Sequence, residues 1–171
     1  MERDAVDLIV EQWAHARPDL DASPVHVLGR LSRATRIVER EFQSLFSEFG
    51  LQIGEFDVLG TLLRAGTSGR MTAGELARHA MKTAGAITNR LDRLVAKGYV
   101  TRDLDPANRR TVVVALTPAG RELIDRVVVA HLENSRRLLT ALDPHRQGDL
   151  AATLRTLLIG LGDNAGAADE T

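Results

Sequence analysis

The sequence predicts a mainly α-helical fold that contains one small β-hairpin. Three observations support this fold class. Apolar residues recur every three or four positions over most of the 171 residues, as they do along one face of a helix. Residues that start or stop helices separate these stretches. Only between Tyr99 and Leu116 do short β-branched runs replace the helical spacing.

Two helices are predicted in the first fifty residues. Over 3–16 the apolar stripe consists of Val6, Ile9, Val10 and Trp13. A longer helix is predicted over 24–49, because Ser23 and Pro24 form a typical start and Gly50 a typical stop. Its apolar face follows steps of three or four residues through Leu31, Thr35, Val38, Phe42, Leu45 and Phe49.

The middle of the chain is predicted to contain three shorter helices, over residues 53–65, 72–80 and 83–97. Thr72 and Glu75 have the spacing of a capping box, which would start the second of these helices. Gly98 would end the third helix in the left-handed conformation. The side chains of the third helix that are expected to face the protein interior are those of Ile87, Leu91, Leu94 and Val95.

After Gly98 the pattern predicts a hairpin followed by two more helices. The hairpin strands are Tyr99–Asp103 and Thr111–Leu116, and Asp105 with Pro106 opens the turn between them. Thr117-Pro118 and Asp143-Pro144 each combine a side-chain N-cap with proline at the first helical position. They predict helices over 118–142 and 144–161, and residues 162–171 are expected to form a frayed acidic tail.

The composition excludes several classes of protein. The chain contains no cysteine, which removes disulfides, thiolate metal sites and thiol redox sensing. The charged N-terminus is unlike a signal peptide, and no stretch approaches the roughly 18 apolar residues of a membrane span. We therefore expect a cytoplasmic protein without a membrane segment. No catalytic set or phosphate-binding glycine loop is evident, so neither an enzyme nor a cofactor is expected.

The five histidines are scattered along the sequence, at positions 15, 26, 79, 131 and 145. They lack the close spacing that is typical of metal ligands, so no metal site is expected. Zinc sensing remains a weaker alternative.

Charge is segregated along the chain. Residues 78–110 contain eight lysines and arginines against three acids, a net charge of +5. The remainder must then carry −6, because the whole chain has a formal charge of −1. A positive middle within a negative surround favours binding of a polyanion. A merely solvated basic face is the alternative.

The helix over 83–97 has an outer face suited to the major groove of DNA. Asn and Arg can read base edges there, while Thr and the helix N-terminus can hold phosphates. The preceding short helix would cross the DNA backbone, as in a helix-turn-helix. The predicted DNA contacts of this helix are Thr83, Ala84, Thr88, Asn89 and Arg93.

The hairpin turn carries two adjacent arginines, Arg109 and Arg110. A hairpin that follows a helix-turn-helix can reach the neighbouring minor groove, whose negative potential attracts arginine. Residues 53–116 are thus predicted to form a winged helix-turn-helix that binds double-stranded DNA. A winged helix that binds another protein is the alternative, and salt-sensitive DNA binding would distinguish the two.

The long helices at the two ends of the chain have apolar faces that are too long to be buried against the small domain in the middle of the chain. A second copy of the chain is the simplest partner for them. Residues 24–50 and 118–161 are accordingly predicted to form a helical dimerisation region of a homodimer. A monomeric helical bundle with its ends folded back is the alternative.

These residues resemble the MarR family of winged helix-turn-helix transcriptional regulators. DPANRRTVVVALTPAG matches the family's wing pattern, and TNRLDRLVAKGYV matches its recognition helix. The sequence departs from the pattern at Asn108, where the family usually has aspartate that would brace the wing through ion pairs. The resemblance implies an obligate homodimer and pseudopalindromic operators with half-sites about one helical turn apart. A ligand-responsive repressor is the first hypothesis, and activation is the alternative mode of regulation.

The extra N-terminal helix, within residues 1–18, resembles that of a urate-responsive subgroup of the family, in which the added helix packs over a ligand pocket. The ligand set of that subgroup is matched here by Trp13, Asp57, Arg90 and Arg102. The resemblance implies urate as the effector. Another purine, a polycarboxylate or a phenolic ligand are the alternatives.

The chemistry of this set can be argued from the residues themselves. Arg90 lies three residues after Ile87, at the edge of the buried stripe, and Asp57 interrupts the apolar run IGEFDVLGTLL. Buried Arg and Asp are costly unless they are paired or bound to a polar ligand. Trp13 offers a flat face and an N–H donor. Together they could hold a planar anion, although each residue singly is also consistent with a purely structural role.

Overall fold

The computed structural model describes residues 2–66, 69–79, 84–105 and 108–163, with the backbone alone for 84–86. Within these ranges no helix is long and apolar enough to cross a bilayer. The described elements are seven helices and three strands: α1 (Ala5–Ala16), α2 (Val25–Glu48), α3 (Ile53–Arg64), β1 (Arg70–Thr72), α4 (Ala73–His79), α5 (Ala84–Ala96), β2 (Val100–Leu104), β3 (Val112–Leu116), α6 (Pro118–Leu138) and α7 (Pro144–Gly160).

The chain divides into two compact units, Met1–Ser44 and Leu45–Thr171. The first contains α1 and most of α2. The second contains the end of α2 and every later element. The predicted fold class, mainly helical with a small β-hairpin, is confirmed.

In the first unit, α1 is joined to α2 by a cluster of ion pairs. The Asp4 carboxylate accepts hydrogen bonds from the N–H groups of Val6 and Asp7, and Asp7 accepts one from the Asp4 N–H, which completes a capping box. The Arg30 guanidinium of α2 donates to Asp4 (2.8 Å) and to Asp7 (2.7 Å). Val6 is buried close to Gly29, where a side chain would crowd it. The predicted N-terminal helix is therefore a docked element of this unit.

The core of the second unit is formed by α3, α5, α6 and the sheet. Its buried apolar residues include Leu59 and Leu62 of α3, Leu91 of α5 and Ile124 of α6. Ile87 and Leu94 are buried as predicted, but Val95 is 42% exposed and the prediction for it was wrong. Val95 lies about 80° around the helix from Ile87, beyond the face that contacts the core.

The hairpin belongs to a three-stranded antiparallel sheet with the order β1-β3-β2. Arg102 of β2 lies opposite Val114 of β3, and Met71 of β1 lies opposite Val114 on the other side. Strand β1 was not predicted from the sequence. A strand of three residues is too short to show alternation, and Thr72 within it also caps the following helix.

The predicted helix boundaries are largely confirmed. Thr117 and Asp143 accept hydrogen bonds from the N–H groups of Gly120 and Arg146, and Gly50 and Gly98 adopt positive φ angles of 68° and 74°. Two differences concern α2 and α6. The first begins at Val25, after Pro24, and the second ends at Leu138 because residues 139–142 form a turn.

Gly120, in the first turn of α6, lies against the backbone of Tyr99, the residue before β2. A Cβ atom at this position would overlap the Tyr99 carbonyl oxygen and lie 2.8 Å from the carbonyl carbon. We expect Gly120→Ala to lower the free energy of unfolding by about 1 to 3 kcal/mol, because a backbone cannot move aside cheaply. Urea denaturation followed by circular dichroism would measure this loss.

Gly148→Ala is the matched control, since a Cβ atom in α7 meets no other atom within 4 Å. Alanine is the better helix former, so this variant should be neutral or more stable by up to about 1 kcal/mol. Equal destabilisation by both substitutions would contradict the packing described for Gly120.

Candidate DNA-binding surface and ligand site

α4 and α5 form a helix pair whose start is fixed by the predicted capping box. The Thr72 N–H donates to the Glu75 carboxylate (2.8 Å), and the Glu75 N–H donates to the Thr72 hydroxyl oxygen (3.1 Å). The hydrogen bonds from the Thr72 N–H and hydroxyl hold the pKa of Glu75 below its ordinary value. Leu76 is buried on the inner side of α4. The carboxylate is thus charged at neutral pH and fixes the start of the helix.

Two of the residues that were predicted to contact DNA lie on the outer face of α5, and Arg93 lies at the edge of that face, beside Glu55. Thr88 and Asn89 are exposed, and the Arg93 side chain is 46% exposed. Ala84 is the first residue of α5, and Thr83 lies outside the described residues. The face is polar and open, as reading a groove requires.

The turn of the hairpin is held by hydrogen bonds. The Asp105 N–H donates to the Thr111 carbonyl oxygen (2.8 Å), and the Thr111 N–H donates to the Asn108 carbonyl oxygen (2.8 Å). The Asn108 side-chain oxygen accepts from the Arg110 N–H (3.1 Å). Asn108 therefore braces the turn through a neutral hydrogen bond, where an aspartate would use its charge. Arg109 and Arg110 are both exposed.

Among the described residues of the second unit, the most deeply buried charge is Glu55, whose side chain has 0% exposure. Its carboxylate accepts hydrogen bonds from Lys97 Nζ (2.8 and 2.9 Å), Arg93 Nε (3.3 Å) and the Gln52 N–H (2.8 Å). Lys97 Nζ also donates to the Gly50 carbonyl oxygen (2.9 Å), so all three ammonium protons have an acceptor. This cluster joins the N-terminus of α3 to the C-terminal half of α5.

Two opposing effects act on the pKa of Glu55. Burial acts to raise it, but the hydrogen bonds from Lys97 and the Gln52 N–H, with that from Arg93, outweigh burial and hold the pKa below 4.5. The role of this residue was not predicted from the sequence. The spacing of Gln52 and Glu55 suits a capping box, yet spacing along one helix does not reveal which residues of another helix it meets.

Two of the four predicted ligand residues face each other. Arg90 Nη1 lies 3.8 Å from Asp57 Oδ2, across the interface of α5 and α3. The Arg90 side chain is only 20% exposed. Its Nη1 atom is buried and has no hydrogen-bond partner among the described residues. A buried donor in this state is a candidate for binding a polar ligand.

The other two predicted ligand residues have different surroundings. Arg102 of β2 donates to Asp92 of α5 (3.1 Å), and the two side chains are 36% and 60% exposed. Trp13 belongs to the first unit, where its half-exposed ring lines a cleft of about 210 Å³ together with Leu20 and Val25. Within the second unit the structure thus brings together Asp57 and Arg90, whereas Arg102 is paired with Asp92.

His131 of α6 packs beside Asp57, in contact with two phenylalanines. Its ring centroid lies 4.9 Å from that of Phe56 and 5.5 Å from that of Phe46. Burial lowers the pKa of His131 below 6.5, and the nearby charge of Asp57 acts in the opposite direction. Across the described ranges, no three His, Asp or Glu side chains gather in a way that could hold a metal ion.

The chain is similar to known transcriptional regulators. A model of the MarR family matches residues 49–111. The chain is 38% identical over 146 residues to the HTH-type transcriptional regulator PecS of Dickeya dadantii (strain 3937), an alignment that covers 85% of this chain and 88% of PecS.

Solved structures show the same architecture. A mutant of MarR from E. coli complexed with operator DNA superposes with a TM-score of 0.69 at 26% identity, covering 85% of this chain and 97% of that one. BpsR of Bordetella bronchiseptica, whose DNA binding is regulated by 6-hydroxynicotinic acid, superposes with a TM-score of 0.68 at 25% identity, covering 77% of this chain and 91% of that one.

The buried cluster around Glu55 leads to a prediction about stability. Glu55→Gln keeps the shape of the side chain but leaves Arg93 and Lys97 without a carboxylate. We expect a loss of about 1 to 3 kcal/mol in the free energy of unfolding at neutral pH. Because the folded pKa of Glu55 lies below 4.5, this contribution is present above pH 4.5 and disappears as the pH falls through the folded pKa.

Urea titrations of the wild type and of Glu55→Gln over a pH series would measure the size of this loss in the free energy of unfolding and its dependence on pH. Asp92→Asn removes an exposed ion pair from the same helix and should cost less than about 1 kcal/mol. This account of the cluster would be refuted if the difference in the free energy of unfolding between wild type and Glu55→Gln stayed constant down to pH values well below 4.5.

Proposed function

This chain belongs to the MarR family of transcriptional regulators, and we propose that it is a cytoplasmic repressor that binds a pseudopalindromic DNA operator as a homodimer. Release from DNA would follow the binding of a small anionic ligand, with urate as the first candidate. Its family comprises regulators and not enzymes. The observation that carries the proposal is a capped helix pair, α4 and α5, followed by a hairpin whose turn exposes Arg109 and Arg110.

DNA binding is proposed for two surfaces of the second unit. The outer face of α5 would enter the major groove, with Asn89 reading base edges and Thr88 contacting phosphate or base. Thr83 and Ala84 would stand at the start of this helix. Arg93 would also contact DNA. Because its Nε atom donates a hydrogen bond to Glu55, the guanidinium could extend only a limited distance toward the DNA. The relative from E. coli that was crystallised with operator DNA supports this use of the fold.

A second copy of the chain is proposed to cover the apolar faces of the terminal helices. No residue of α7, which is described throughout, is buried within the single chain. Exposed apolar residues of α6 and α7 include Val129, Leu132, Leu150, Leu158 and Ile159. Several exposed apolar side chains on two adjoining helices in the sequence are typical of an interaction surface, and a second copy of the chain is the simplest partner for it. The dimerisation region would comprise residues 24–50 and 118–161, and would space the winged domains of residues 53–116 for neighbouring half-sites.

Ligand binding is proposed for Trp13, Asp57, Arg90 and Arg102. The buried Nη1 group of Arg90 can donate a hydrogen bond to an anion, and the Asp57 carboxylate can accept hydrogen bonds from ring N–H groups. Trp13, on the helix within residues 1–18, would supply a stacking face. Regulation of BpsR by 6-hydroxynicotinic acid, a planar heterocyclic acid, supports an effector of this class.

Release would be driven through Arg90 because this residue belongs to α5. A ligand that binds the guanidinium more tightly in a shifted position of α5 would favour that position over the DNA-bound one. The cluster of Glu55, Arg93 and Lys97 would meanwhile hold the C-terminal half of α5. The shift would therefore be largest at the N-terminal half, where the base-reading residues lie.

Replacing both arginines of the hairpin turn tests the proposed contact with DNA. Arg109→Ala together with Arg110→Ala should weaken binding to the DNA upstream of the chain's own gene. The slope of log affinity against log salt should become shallower by about 0.9 for each phosphate that the variant no longer neutralises. Fluorescence anisotropy at several salt concentrations measures both quantities.

Arg3→Ala with Arg17→Ala, two exposed cations outside the proposed DNA-binding and dimerisation regions, serves as the control for total charge and should leave the slope unchanged. An unaltered slope in the hairpin variant would count against wing contact. Absence of salt-sensitive binding by the wild type would favour the protein-binding alternative.

A mobility shift on the same DNA, titrated with urate, xanthine and citrate, tests the effector. We expect urate to release the wild type, and we expect Trp13→Ala and Arg90→Ala to need far more urate while remaining folded. Leu8→Ala, which removes another exposed apolar side chain of α1, should respond as the wild type does. If millimolar urate leaves wild-type binding intact, the choice of urate is wrong.

A further inference from the structure

Gly54, the second residue of α3, lies directly beneath the guanidinium of Arg90. A Cβ atom at this position would lie 2.5 Å from Arg90 Cζ and 2.8 Å from Nη2, closer than any non-bonded contact allows. Only a residue without a side chain leaves room for the guanidinium to rest on the first turn of α3. The space occupied by Arg90 is thus created by a glycine on the opposite helix.

Hydrogen bonding does not account for this position of Arg90. Nη1 is buried without a hydrogen-bond partner among the described residues, and the Asp57 carboxylate is 3.8 Å away, beyond hydrogen-bond distance. A cation over the first turn of a helix also meets the positive end of the helix dipole. The close contact of the Arg90 guanidinium with the backbone of Gly54 is therefore the geometric feature that accounts for where the guanidinium lies.

The neighbouring cations, Arg93 of α5 and Lys97 directly after this helix, are held differently. Lys97 and Arg93 donate to Glu55, and the ammonium group of Lys97 has all its protons accepted. Arg90, Arg93 and Lys97 follow one another at steps of three and four residues, so they face α3 along one side of α5. Of these three, Arg90 combines the longest ion-pair distance with an unbonded, buried donor.

We propose that Gly54 is a positioning residue of the ligand site, because the space it leaves determines where the Arg90 guanidinium lies. Alanine at position 54 would displace the guanidinium and weaken the effector response. The effect on the response rests on the proposed function, whereas the positioning of Arg90 does not. Since a guanidinium is the far end of a flexible side chain, it can move aside, and Gly54→Ala should fold.

The positioning is tested without any ligand, by a double-mutant cycle of Gly54→Ala and Arg90→Ala read as thermal midpoints. Alanine favours helix over glycine, so Gly54→Ala should raise the midpoint more in the Arg90→Ala background than in the wild type. Gly60→Ala is the matched control on α3, because its Cβ atom would make only an ordinary contact with Arg64. It should shift the midpoint equally in both backgrounds. Additivity of Gly54→Ala with Arg90→Ala would overturn the proposal.

The response is tested by isothermal titration of the full-length wild type, Gly54→Ala and Gly60→Ala with urate, and by urate release of each protein from its upstream DNA. We expect Gly54→Ala to need about tenfold more urate, the equivalent of one weakened charge-assisted hydrogen bond, and Gly60→Ala to match the wild type. An unchanged response of Gly54→Ala beside a responsive wild type would refute the role of Gly54 in the ligand site. If the wild type does not respond to urate while Gly54→Ala and Arg90→Ala remain coupled in the double-mutant cycle, urate is refuted as the effector and the positioning of Arg90 by Gly54 is not.

Discussion

The arrangement of the second unit depends on the burial of one carboxylate, Glu55, against the cations of α5. A buried charge is tolerable only when its hydrogen-bonding capacity is filled, and here Lys97, Arg93 and the Gln52 N–H fill it. The cluster fixes the C-terminal half of α5 against α3. The exposed residues Thr88 and Asn89 take their positions from this attachment, since they belong to the same rigid helix.

The same helix interface contains a second contact of opposite character. Asp57 and Arg90 lie at ion-pair distance without a hydrogen bond, and the guanidinium rests on the bare backbone of Gly54. A filled cluster near one end of α5 and an incomplete contact nearer the other give the helix one firm and one adjustable attachment. In the proposed mechanism, this difference would allow a small ligand to shift the N-terminal half of α5 without disrupting the core that supports the helix.

Local interactions were the part of the structure that sequence could predict. Thr117 and Asp143 cap their helices, Gly50 and Gly98 end theirs, and Thr72 pairs with Glu75, because each of these contacts joins residues at most a few positions apart. β1 was missed since three residues carry no detectable period. The pairing of Arg102 with Asp92 was missed because it depends on how β2 lies against α5.

By itself the sequence determined most of the helix and hairpin boundaries, the segregation of positive charge into residues 78–110 and the family to which the chain belongs. The tertiary structure alone decided that Glu55 would neutralise part of that charge from within and that Gly54 would make room for Arg90. Periodicity reports which face of a helix is buried, because burial follows from one helix's own pattern. Which residues meet across two helices depends on their packing, and no single segment encodes that.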